Sequence, residues 1–162
     1  VQWGLPVTAL LIAAVAVVVV VVLPRWQAWK VVDVAAASVL HLGYAWLAVG
    51  LVVQAAGRAF DLMTPLDAAH GVMIGGLGVL SLAVMGRTAL QRLRRPLDVP
   101  PMLLAAVGLM SAAVVLRVLA SLSGPMVALL GVAAVAWTLA FVCFGVFLLR
   151  LLVARLDTVP PA

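Results

Sequence analysis

At 162 residues, 67% of them hydrophobic and 9% charged, with a mean hydropathy of +1.33, the chain lies far from soluble-globular usage, where about 25% of residues are charged. The fold class expected is all-α, a polytopic integral membrane bundle in the lipid bilayer. The net charge of +5 comes mainly from arginines in short loops between apolar runs, which is how topology is written. Bases interleaved with aromatics are missing, which excludes nucleic acid as a partner, and a single cysteine, Cys143, excludes an intrachain disulfide or a Cys-x-x-Cys metal knot.

The sequence predicts five spans in a single transmembrane domain covering residues 1–162. The first, about 5–23, is aliphatic and uncharged, with valine from Val17 to Val22. Branching at Cβ lowers helix propensity in water, but in lipid the backbone must bond within its own segment, so helix is the outcome. No initiator methionine and no basic n-region precede it, so Val1 is expected to be a trimmed terminus or the start of a fragment. Arg25, Trp26, Trp29 and Lys30 follow as an interfacial link.

The second span, about 32–57, carries Asp33, Ser38, His41, Tyr44 and Gln54, more polarity than a lipid-facing helix needs. His41 and Tyr44 are three apart, so they share a side. A polar loop with Arg58 and Asp61 leads to the third span, about 65–86, where Pro65 and Asp67 suit a helix N-terminus. This span holds His70, Gly71, Gly75, Gly78 and Ser81. Gly71 and Gly75 form a GxxxG pair that serves either close helix packing or a planar cofactor lying on bare backbone. The fourth span, about 102–120, contains Ser111 and Arg117. The fifth, about 126–152, contains Trp137, Thr138 and Cys143, before a solvated tail with Arg155 and Asp157.

With five spans, Arg25, Lys30, Arg87, Arg92, Arg94, Arg95, Arg150 and Arg155 fall on one side and Arg58 on the other. The expected orientation therefore puts the N-terminus outside and the C-terminus in the cytoplasm. On a rise of ~1.5 Å per residue, His70 lies about 8 Å and His41 about 24 Å below the outer ends of their helices. The ~16 Å between them excludes one haem bridged by both rings, so they serve separate sites, each a candidate for haem or copper with a further ligand from elsewhere. Arg58 and Arg117 gather with Asp61 and Asp67 near His70. Either arginine suits the carboxylates of a ligand such as haem propionates, and the plainer account pairs Arg117 with Asp61 or Asp67. Met63, Met73, Met85 and Cys143 are soft ligands in principle but are spread over different depths. Hydrolytic and nucleotide-driven chemistry lacks its motifs. A transporter would want inverted repeats or spans broken at mid-membrane, whereas the prolines here fall at span ends.

The segments HLGYAWLAVGL (41–51), AAHGVMIGGLGVLSLAVMGRTAL (68–90) and RPL (95–97) resemble the NnrS family, bacterial inner-membrane proteins with haem and copper linked to nitric oxide stress in denitrification. The family pattern has a histidine in the loop before Arg-Pro-Leu, where this chain has Arg92. The resemblance covers the C-terminal portion of proteins with roughly twice as many spans. It implies that His41 and His70 are the haem b or metal ligands, with Tyr44 and Arg87 as neighbours fixed by the motif. Two functions are then expected to compete. One is a haem-binding membrane protein of nitric oxide tolerance or respiratory electron transfer. The other is a non-catalytic accessory subunit, packed as a homo-oligomer or against other membrane subunits of a respiratory or photosynthetic complex.

Overall fold

A computed structural model of the protein describes residues 4–27, 30, 35–94, 99–122 and 126–156. The expectations for Asp33, Trp29, Arg95, Pro96 and Asp157 fall outside the described residues. The fold is all-helical, with α1 (Gly4–Arg25), α2 (Ala35–Ala59), α3 (Pro65–His70), a π-helical segment (Gly71–Gly78), α4 (Val79–Arg92), α5 (Pro101–Leu122) and α6 (Val127–Leu156). Because α3, the π segment and α4 run on as one rod, five stretches are long and apolar enough to cross a membrane: Val7–Arg25, Ala36–Ala59, Pro65–Arg92, Pro101–Leu122 and Val127–Arg155.

Helix ends follow local chemistry. Thr64 caps α3, its Oγ1 accepting from Asp67 N at 3.1 Å and donating to Asp67 Oδ2 at 2.7 Å, with Pro65 in the first turn. This satisfies an N–H that the helix leaves unpaired. At the end of α2, Leu62 N donates to Gly57 O at 3.1 Å while Asp61 turns left-handed at φ 52°, which closes the carbonyl end in a Schellman turn.

Consecutive spans run antiparallel, and α2 is the hub. Along its length Gly57 faces Ala68, Gly50 faces the backbone of Gly71, and Gly43 faces Leu80. The glycine pairing seen in the sequence is therefore packing inside one chain: Gly71 lies on Gly50, and Gly75 on Trp46 and Val114. The buried core sits further along, toward the arginine-rich end, where Val79, Leu82 and Ala83 of α4 meet Leu103, Ala106 and Met110 of α5 and Ala140, Phe144 and Phe147 of α6. Between α2 and α5, Trp46 Nε1 donates to Ser111 Oγ at 3.0 Å, an interhelical bond of the kind worth about 0.6 kcal/mol on average in lipid.

The π segment was not anticipated. Four glycines in eight residues, GVMIGGLG, weaken the preference for a regular α-helix and let the widened turns lie against α2. Such segments are rare and recur at functional sites.

Candidate functional site

His70 closes α3 at the point where the rod widens. Its Nδ1 lies 2.7 Å from Leu66 O. A carbonyl only accepts, so Nδ1 carries a proton, and the lone pair of the neutral tautomer is on Nε2. A histidine that ligates a metal is oriented in this same way, through a bond from its other nitrogen. His41 repeats the arrangement, Nδ1 donating to Ala37 O at 2.8 Å. In both cases the partner is the carbonyl four residues back, supplied by the helix itself.

The two rings stand far apart. Gly50 opposes Gly71 and Gly43 opposes Leu80, so His41 lies about 15 Å along the bundle from the level of His70, at ~1.5 Å per residue. His41 sits at the arginine-rich end with Tyr44 beside Trp26, whose ring meets His41 edge-on at 6.3 Å between centroids and Tyr44 at 4.7 Å.

His70 borders a groove of about 610 Å³ with Met73, Ile74 and Arg117, walled on the far side by Leu130, Ala133, Ala134 and Trp137 of α6. The groove exists because α6 touches the third span over α4 and stands off from it beside His70. Small residues on α6 leave the space, and Trp137, stacked edge-on against Phe141 at 4.8 Å, holds its side.

Arg117 enters this groove from α5, already tied down. Its Nη2 donates to Asp67 Oδ1 and its Nη1 to Ser121 Oγ at 2.8 Å. The pairing weighed from the sequence, Arg117 with Asp67, is therefore present. Two of the five N–H donors of a guanidinium are used in these bonds, and others remain for an anion in the groove.

Arg58 does not join this group. It borders a different groove, between α1 and α2. Sequence depth placed Arg58 and Arg117 at one end of the bundle, but it carries no information on which side of a helix faces which neighbour. Met73 is the converse case: dispersed among other methionines in sequence, it lies one turn from His70 on the same groove. Arg87, fixed by the motif, is half-buried on α4. Among the described residues, no group of three or more His, Cys, Asp or Glu side chains forms a metal cluster.

The residues present suit the donor set of a haem site. His70 would offer its Nε2 to the iron, the facing wall of α6 is mainly apolar, and Arg117 would answer the charge of a propionate. In comparisons with known proteins, a family model described as "NnrS protein" matches residues 1–155. No curated protein and no solved structure matches the chain.

Proposed function

We propose, from the premise that this chain belongs to the NnrS family, that it is a multi-pass protein of the bacterial inner membrane that binds haem b through His70, in nitric oxide tolerance or respiratory electron transfer. The observation that carries this reading is the His70 ring, its Nδ1–H held by Leu66 O at 2.7 Å and its other edge on a groove shared with Arg117. An imidazole kept in lipid is costly unless its polar atoms are used, and Leu66 uses only one of the two.

Bound there, haem would supply an iron able to exchange electrons or hold a diatomic ligand. The chain's own part is binding and orientation. Leu66 O fixes the His70 tautomer, Asp67 and Ser121 hold Arg117 in place, and the α6 wall of Leu130, Ala133 and Trp137 keeps water from the apolar side. His41, anchored alike, is read as a separate ligand for a second haem or for copper, with Tyr44 as its nearest hydroxyl.

Spectra and metal analysis of protein purified in mild detergent test this directly. The wild type should show a Soret band with stoichiometric iron, and His70→Ala should reduce its haem content at least roughly tenfold, since losing even a hydrogen-bond partner of a metal ligand costs about 10–100-fold in affinity. His41→Ala should leave the His70 pigment in place. Protein that carries neither iron nor copper and co-purifies with a larger membrane complex would overturn this reading in favour of the accessory-subunit function.

A further inference from the structure

A groove of about 920 Å³ lies between α1 and α2, away from His70. On α1 its floor runs from Ala9 through Ala13 and Val17 to Val21, and on α2 through Val52 and Ala56. Ala9 and Val21 are twelve residues apart, about 18 Å at ~1.5 Å per residue. One leaflet of a bilayer has a hydrocarbon depth of about 15 Å, half of ~30 Å. The groove is therefore one acyl chain deep, and it ends where the bundle meets the headgroups.

At that end stands Arg58, in the last turn of α2. Its Nε is buried, and among the described residues it has no hydrogen-bond partner. Phe60, 73% exposed, projects beside it, as aromatics do at headgroup depth. A guanidinium with a buried, unanswered N–H at the mouth of an aliphatic channel asks for an anion that carries an apolar tail.

We infer that this groove binds an anionic glycerophospholipid, one acyl chain lying between α1 and α2 and its phosphate on Arg58. A neutral isoprenoid or quinone fills the channel but leaves the guanidinium without a counter-charge. A free anion answers the guanidinium but leaves the channel empty. Of these three, the phospholipid alone does both. The inference is independent of the haem reading, since Arg58 and His70 line different grooves.

Native mass spectrometry of the full chain, released from detergent containing equal dioleoylphosphatidylglycerol and dioleoylphosphatidylcholine, tests it. The wild type should retain one phosphatidylglycerol at least tenfold more often than phosphatidylcholine. Arg58→Ala should abolish that preference and Arg58→Lys should keep part of it. Val17→Trp, at a position already exposed, should reduce retention of either lipid with the thermal midpoint unchanged, and it serves should Arg58→Ala fail to fold. Equal retention of the two lipids by the wild type, an unchanged preference in Arg58→Ala, co-purified quinone in place of phospholipid, or thermal stabilisation by inorganic phosphate equal to that by phosphatidylglycerol would each overturn the assignment.

Discussion

A single methyl group placed on residue 50 would come within 2.6 Å of Gly71 C and Val72 N. Both are backbone atoms, so neither can rotate away as a side chain would, and α2 must separate from the third span. Overpacking of this kind costs about 1–3 kcal/mol. In a chain of this size that is a fall of about 2–4 °C in the thermal midpoint per kcal/mol, so Gly50→Ala should melt several degrees below the wild type in the same detergent. Gly108→Ala and Gly131→Ala, whose added methyls meet nothing within 4 Å, should stay within about 0.5 kcal/mol. Only part of this was legible in the sequence. Gly71 and Gly75 announce themselves by their spacing, but Gly50, which receives Gly71, stands in an ordinary apolar run, and the pairing appears only once the helices are laid side by side. The histidines were legible for a different reason: an imidazole among valines and alanines is conspicuous without any geometry.

The element that most depends on its exact register is the rod from Pro65 to Arg92. Its π segment, Gly71–Gly78, separates α3, which carries Asp67 and His70, from α4, which is locked into the core by Val79 and Leu82. Inserting one alanine after Leu77, a side chain 55% exposed, adds a residue that the already widened turns have no slack to absorb and should rotate α3 by roughly 80–100°, one residue's share of a turn. Asp67 then no longer faces Arg117. The expected outcome is a folded protein with helical circular dichroism retained, in which the pair has lost its coupling. Asp67→Asn, made on top of the insertion, should add almost nothing to the loss in stability, whereas in the wild type it should cost about 1 kcal/mol, suited to a pair with side chains 18% and 27% exposed. A helix is legible here from the apolar run alone, but its pitch is not. Hydropathy measures the length of an apolar stretch, and it is blind to whether the backbone inside closes on the fourth residue or the fifth.

At the scale of the whole molecule, the spans were the most legible feature, because five long apolar runs bounded by prolines, arginines and tryptophans leave few alternatives in lipid. Their lateral arrangement was not. The α6 wall opposite His70 is built from Ala133, Ala134 and Trp137, more than sixty residues away and with no polar mark to connect them. Orientation is a further question, for which the crowding of arginines at one end supplies an expectation. In a Cys143→Ser background, Phe60→Cys, at an exposed site in the turn after α2, should react with an impermeant maleimide added outside intact cells. Arg92→Cys, also exposed, should react only after the membrane is opened. Labelling in the reverse order would invert the proposed topology.

The first span holds to this assembly by a narrow margin. Only 11% of its most apolar window is buried, against 28–39% for the other four, and its packing rests mainly on α2 through alanines such as Ala9 and Ala16. Most of its surface meets the surrounding fluid, and the seam it shares with α2 lies open sideways to oily molecules.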